Sequence, residues 1–140
     1  MGRRRKAREE ALKILFEYDS THDEIDEIMK CFWENLSTTK DRKVREYTKE
    51  LVKGVVNNLE LIDKSIEKVS KNWNLQRMFR VDKNILRIAV YELMFKKETP
   101  IPVVIDEAVE IAKLYGTDTS PKFINGILDS INKNLRKELN

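Results

Sequence analysis

Hydrophobic positions recur at helical spacing along almost the entire chain, so the sequence predicts an all-α protein. In the first segment the apolar positions form one stripe on a helix, made of Ala7, Ala11, Ile14, Leu15 and Tyr18. The same period continues towards the carboxyl end, and no stretch alternates in the way of a strand. The pattern predicts about seven helices, at residues 3–19, 23–36, 41–57, 58–72, 82–96, 102–115 and 120–135.

One stretch, residues 73–80, lacks a clean period and is interpreted as a connection between two halves. We therefore expect a single domain over residues 1–140 with subdomains at about 1–72 and 80–140. The segment 82–96 is apolar on more than one face, which predicts that it forms the central helix. The expected architecture is an up-down or two-subdomain helical bundle.

The length and composition of the chain limit the classes of protein to which it can belong. A chain of 140 residues is long enough for a core that needs neither disulfides nor metals. The single cysteine, Cys31, cannot form an internal disulfide, and we expect its side chain in or near the core. No apolar run approaches the roughly 18 residues of a membrane span. A cytoplasmic protein is the default expectation.

The net charge of +3 conceals a strong asymmetry. Residues 1–8 contain five of the 27 Lys and Arg side chains and no acidic one. Residues 9–140 therefore contain 22 basic and 24 acidic side chains. The basicity is therefore local. A short basic segment of this kind predicts an anionic partner, either a nucleic acid or a membrane surface.

Phe16 is the strongest clue to the nature of that partner. On a helical wheel it lies roughly 150° from the centre of the apolar stripe, with Arg5, Glu9 and Leu12 as neighbours and Arg8 at the flank. An aromatic ring beside arginines fits single-stranded nucleic acid, because bases stack on rings while arginines bind phosphates. The alternative is that Phe16 packs against another helix or a subunit.

Enzyme signals are absent from the sequence. His22, the only histidine, lies in a polar turn, and one His with one Cys gives none of the usual zinc sites. There is no glycine-rich phosphate loop and no nucleophile motif. We expect no catalytic residue, no metal and no cofactor. Asp82, Arg80 and Arg87 cluster near the start of the most apolar helix and are either half-buried ion pairs or partner contacts.

Four strings of residues resemble the NusB family of bacterial transcription antitermination factors, in order and spacing and over essentially the whole chain. They are RRRKAR at 3–8, DKNILRIAVYEL at 82–93, IDEAVEIAK at 105–113 and KFINGILD at 122–129. The resemblance implies two small helical bundles packed together and a non-catalytic RNA-binding function. It further implies a complex with the ribosomal protein NusE, binding to single-stranded boxA RNA in nascent ribosomal RNA transcripts, and action on RNA polymerase.

The resemblance also assigns residues to each partner. The positions that match the family's RNA-binding segments are Arg3, Arg4, Arg5, Lys6, Arg8, Phe16, Lys122 and Phe123. Asp82 matches an acidic position of the NusE interface, and Thr119 with the adjacent Asp118 matches a second one. Asn125 and Gly126 are expected to be structural, with Gly126 at a tight helix contact.

Three alternatives stay open at this point. The chain could be a stand-alone RNA-recruiting module related to the amino-terminal domains of ribosomal RNA methyltransferases, although it carries no methyl-donor motif. A DNA-binding helix-turn-helix regulator is a weaker alternative, since no helix carries a basic cluster comparable to residues 3–8. A homodimer that buries the RNA surface is the third.

Overall fold

The computed structural model describes residues 2–37, 39–70 and 74–139, with side chains through residue 135. The described part of the chain is all-α, as predicted, and contains no strand. Its helices are α1 Arg3–Thr21, α2 Ile25–Asn35, α3 Arg42–Asn57, α4 Leu59–Val69, α5 Arg80–Phe95, α6 Ile101–Tyr115 and α7 Ser120–Leu139.

Local side-chain chemistry explains several of these boundaries. The carboxylate of Asp41 accepts a hydrogen bond from the backbone N–H of Lys43 and so caps α3. Glu24 caps α2 in the same way through the N–H of Asp26. His22 ends α1 in the left-handed conformation, with φ of 61°. Ser120 is the first residue of α7, and its hydroxyl accepts from the N–H of Thr117 in the turn before the helix.

Helix α5 is the central element, as its apolar character predicted. It packs against α1, α3, α4, α6 and α7, and every residue from 82 to 93 is buried. The buried hydrophobic residues form one cluster that draws on both halves of the chain. The division into subdomains at about 1–72 and 80–140 stays a prediction, because α5 contacts helices of both halves.

Two expectations about individual side chains are wrong. Cys31 is exposed and does not reach the core, because α2 turns Ile28, Met29 and Phe32 inward instead. Gly126 lies in open space: a Cβ atom built on it would have no neighbour within 4 Å, so no tight contact requires glycine there.

Candidate RNA and partner surfaces

The amino-terminal arginines are part of a helix, since α1 begins at Arg3. Arg3 and Arg4 are exposed and lean towards the first turns of α3, where Arg3 Nε lies 2.7 Å from Asp41 Oδ2. The Arg4 guanidinium lies 3.7 Å from the centroid of the Tyr47 ring. These side chains border a cavity of about 330 Å³, lined by Arg3, Arg4, Lys43, Glu46, Tyr47 and Glu50. We call Arg3, Arg4 and this cavity the arginine surface.

Arg8 points in the opposite direction, into the core. Only 3% of the residue is exposed, and its Nε and Nη2 donate to the two carboxylate oxygens of Glu92 at 2.7 and 2.8 Å. The Tyr47 hydroxyl donates to the same carboxylate at 2.9 Å, and burial followed by the charge of Glu92 raises the pKa of Tyr47 to about 12. Arg8 therefore ties α1 to α5. A direct contact of Arg8 with RNA stays a prediction, and it would require this buried pair to open.

Arg5 and Lys6 are half-buried, so their exposure lies between that of Arg3 and Arg4 and that of the buried Arg8. Arg5 forms an ion pair with Glu107 of α6, and Arg8 reaches the same carboxylate at 3.2 Å. The hydrogen bond from Arg5 lowers the pKa of Glu107. Side chains of α6 thus contact the side of α1 that the helical wheel left open, where the Tyr115 hydroxyl donates to Glu9 at 2.6 Å. Glu9 and Leu12 are both buried.

Phe16 is exposed over 39% of its surface, as the helical wheel predicted, but its neighbours differ from the predicted ones. It lies thirteen residues beyond Arg3, which is about 20 Å along the helix axis. The cation beside its ring is Arg80 of α5, whose Cζ lies 5.8 Å from the ring centroid. The predicted surface therefore divides into the arginine surface and a second surface formed by Phe16 and Arg80, the Phe16–Arg80 surface.

A groove between the start of α5 and the start of α7 brings together several of the predicted partner residues. It encloses about 410 Å³ and is lined by Met78, Phe79, Asp82, Thr117, Thr119 and Phe123. Phe79 is exposed over 47% of its surface, so the groove, which we call the α5–α7 groove, presents an aromatic rim. Asp118 and Lys122 are exposed. Each is adjacent in sequence to a residue of the groove but does not itself line the groove.

Asp82 gives this groove a polar floor. The residue is 7% exposed, and its Oδ1 atom has no hydrogen-bond partner within the described part of the chain. Burial raises the pKa of Asp82, against the effect of a hydrogen bond from Ser120. Arg87, which the sequence placed near Asp82, forms its ion pairs with Asp63 and Asp19 instead.

Phe79 and the position of Arg80 beside Phe16 were not predicted from the sequence, and both residues lie at the edge of the segment without clear periodicity. An exposed aromatic directly before the most apolar helix was the available signal. The ion pairs of Arg80 and Arg87 are one of the two roles that the sequence left open for these residues. Within the described ranges, no group of three or more His, Cys, Asp or Glu side chains is arranged to hold a metal ion. None of the described helices has the length and apolar character that crossing a membrane requires.

Comparison with known proteins identifies the family of this chain. The model of the NusB family matches residues 5–133. The transcription antitermination protein NusB of Desulfatibacillum aliphaticivorans is 49% identical over 138 residues, covering 99% of this chain and 95% of the relative. That of Trichlorobacter lovleyi is 48% identical over 131 residues, covering 94% and 91%.

Solved structures agree with this assignment. NusB of T. maritima superimposes with a TM-score of 0.83 at 44% identity, covering 95% of this chain and 92% of that one. A chain from the crystal structure of the antitermination factors NusB and NusE in complex with double-stranded RNA gives a TM-score of 0.84 at 32% identity, covering 96% and 98%. The family match and the identity and coverage shared with these relatives and structures lead to one conclusion: the chain belongs to the NusB family.

Proposed function

We propose that this protein is a non-catalytic transcription antitermination factor. In this proposal it pairs with the ribosomal protein NusE and binds single-stranded boxA RNA in nascent transcripts of ribosomal RNA operons. The complex then acts on RNA polymerase in the cytoplasm. Membership of the NusB family supports the general function. The two surfaces and the groove described above support separate binding sites for RNA and for the protein partner.

The observation that carries the RNA-binding part is the start of α1 at Arg3. Because the arginine run is helical and anchored by Arg8, Arg3 and Arg4 are held at defined positions and do not belong to a loose tail. Ordered cations lose less conformational entropy when they bind phosphates. We assign the direct phosphate contacts of this region to Arg3, Arg4 and Lys6, with Arg5 and Arg8 holding the helix in place through Glu107 and Glu92.

The α5–α7 groove supports the protein-binding part. An apolar groove fits a partner side chain that has an apolar stem and a hydrogen-bond donor at its tip, as lysine and arginine have, because the buried Asp82 Oδ1 has no hydrogen-bond partner in the described part of the chain. Asp82 would receive the donor, while Phe79, Phe123 and Thr119 would contact the stem. Asp118 and Lys122 lie beside the groove, where Asp118 extends the protein contact and Lys122 faces the RNA.

The test is a titration of fluorescently labelled boxA RNA with the full chain and NusE, at several salt concentrations. A scrambled RNA of equal length serves as the sequence control. We expect Arg3→Ala/Arg4→Ala to weaken binding at least tenfold and to reduce the slope of log K against log salt by about 1.4, since each phosphate contact to a single strand contributes about 0.7.

Lys64→Ala/Lys133→Ala is the matched control, because it removes two positive charges that are exposed on α4 and α7. It should leave both the affinity and the salt slope close to the wild-type values. Equal affinity for boxA and the scrambled RNA in the presence of NusE would refute the proposed function. An Arg3→Ala/Arg4→Ala protein that binds like the control variant would refute the arginine surface as the RNA site.

A further inference from the structure

A surplus of positive charge collects where the end of α1 meets the start of α5. The carboxylate of Asp19 faces three cations: Arg80 at 3.2 Å, Lys83 at 2.9 Å and Arg87 at 3.4 Å. Asp63 supplies a second carboxylate, but it pairs with Arg87, at 2.9 Å. Three cations therefore share two carboxylates, and one positive charge has no counterpart in this cluster.

Exposure decides where that surplus charge reaches solvent. The side chains of Lys83 and Arg87 are 11% and 8% exposed, whereas that of Arg80 is 47% exposed. Arg80 is also held in place, since its Nη1 donates to Ser20 Oγ at 3.0 Å and its Nε lies beside Asp19. The cluster thus presents a positioned guanidinium with donor groups still directed to solvent.

The Arg80 guanidinium lies over the Phe16 ring in a cation–π contact, with Cζ 5.8 Å from the ring centroid. An exposed ring and a fixed guanidinium close together can bind one nucleotide, because the base stacks on the ring while the phosphate binds the cation. The sequence predicted Arg5 and Arg8 beside Phe16. Arg5 instead pairs with the carboxylate of Glu107, and Arg8 pairs with that of Glu92. Arg80 is the cation that carries unbalanced charge at this ring.

We propose that Arg80 is an RNA-backbone contact that acts together with Phe16 on one nucleotide. This inference rests on the proposed RNA-binding function and adds a second RNA site to the arginine surface. It places bound RNA across two helices that are far apart in sequence, α1 and the first turn of α5. The RNA then bridges the two halves of the chain.

The experiment compares Arg80→Ala with Arg77→Ala in the same boxA titration with NusE. Arg77 is an exposed arginine in the turn before α5, so its replacement removes the same charge three residues away. In Arg80→Ala, Lys83 and Arg87 still face Asp19, so the fold should be retained, and thermal unfolding measures this directly. We expect Arg80→Ala to weaken RNA binding roughly three- to tenfold and to reduce the salt slope by about 0.7.

Phe16→Ala and the double variant complete the design. If both side chains hold one nucleotide, the double variant should lose less affinity than the product of the two single losses. Wild-type affinity in Arg80→Ala, or a loss equal to that in Arg77→Ala, would overturn the inference while leaving the arginine surface intact. Retained RNA affinity together with lost self-association in sedimentation would assign the Phe16–Arg80 surface to a dimer interface, and would also overturn it.

Discussion

The carboxylate of Asp41 accepts hydrogen bonds from α1 and from α3 at the edge of the arginine surface. Its Oδ1 accepts from the N–H of Lys43 and caps α3, while its Oδ2 holds Arg3 at 2.7 Å. The hydrogen bond from Arg3 lowers the pKa of Asp41, so the carboxylate is ionised at neutral pH. An incoming phosphate must displace this carboxylate from Arg3 and then remain near its charge. Exposed ion pairs are weak because water screens them, so displacement is feasible but has a cost.

We therefore expect Asp41→Asn to bind RNA about two- to fivefold more tightly than the wild type. Asparagine caps a helix as well as aspartate does, so α3 should stay intact. The matched control is Asp26→Asn, which removes one exposed carboxylate that pairs with Lys53 at 2.5 Å on another part of the surface. The gain should vanish when Arg3 is replaced by alanine. A gain of equal size in Asp26→Asn would show a general charge effect instead.

The arginine run shows why residue roles are only partly predictable from sequence. A helical wheel orders the faces of one helix, and it correctly turned Phe16 outward. It cannot show which other helices cover those faces. Glu107 and Tyr115 of α6 lie about a hundred positions away in sequence, yet they pair with Arg5 and Glu9 and close over the side that seemed free. Long-range pairing of charges therefore decides which arginines remain available.

At the scale of helices, the contact between α3 and α5 depends on a missing side chain. A Cβ atom on Gly54 would lie 2.2 Å from Cε1 and Cζ of Tyr91, so α3 approaches α5 only because residue 54 is glycine. Tyr91 is buried and also contacts Phe95, with ring centroids 5.4 Å apart. The approach brings Tyr47 of α3 within reach of Glu92, which connects the arginine surface to the core.

Gly54→Ala should accordingly destabilise the protein by about 1–3 kcal/mol, as overpacking of a filled core does. Gly126→Ala is the control, since Gly126 is exposed within α7 and a Cβ there meets nothing within 4 Å. Alanine should stabilise α7 by roughly 0.5–1 kcal/mol through helix propensity. Chemical denaturation of both variants measures the difference. Similar free energies of unfolding for the two variants would contradict a close approach at Gly54.

Element positions were largely predictable because each helix must bury a stripe of its own residues. The predicted central segment 82–96 and the observed α5, Arg80–Phe95, differ by two residues at the start and one at the end. The α5–α7 groove was not predictable as a shape. It arises where Met78 and Phe79, in the stretch without a period, meet Thr117, Thr119 and Phe123. A hydrophobic period describes one helix at a time, so it does not show where the first residues of two helices meet.

At the scale of the whole molecule, the first turn of α5 joins the proposed RNA and protein sites. Arg80 lies beside Phe16, and Asp82, two residues later, lies in the α5–α7 groove. A partner that binds in the groove would therefore contact the same helix turn that carries Arg80. Binding linkage then requires reciprocity: the factor by which NusE raises the affinity for RNA equals the factor by which RNA raises the affinity for NusE.

Asp82→Asn tests this coupling. The variant should bind NusE at least about tenfold more weakly, because a charge-assisted hydrogen bond contributes roughly 1.5–3 kcal/mol. Its RNA affinity should fall only when NusE is present. Burial raises the pKa of Asp82, so the ionised carboxylate destabilises the free chain above that pKa, and Asn should leave the melting temperature at neutral pH unchanged or higher. A melting temperature at or above that of the wild type would exclude unfolding as the cause of weaker binding.

Asp129→Asn is the control, because it removes an exposed carboxylate on α7 that pairs with Lys133 and does not line the groove. Calorimetric titrations of NusE with and without boxA RNA, for the wild type and both variants, give the two coupling factors. If Asp82→Asn lowers RNA affinity equally without NusE, Asp82 acts on the RNA site directly, and the α5–α7 groove is not the protein-binding site. Loss confined to the ternary complex would instead place NusE in the groove and make the first turn of α5 the link between the two partners.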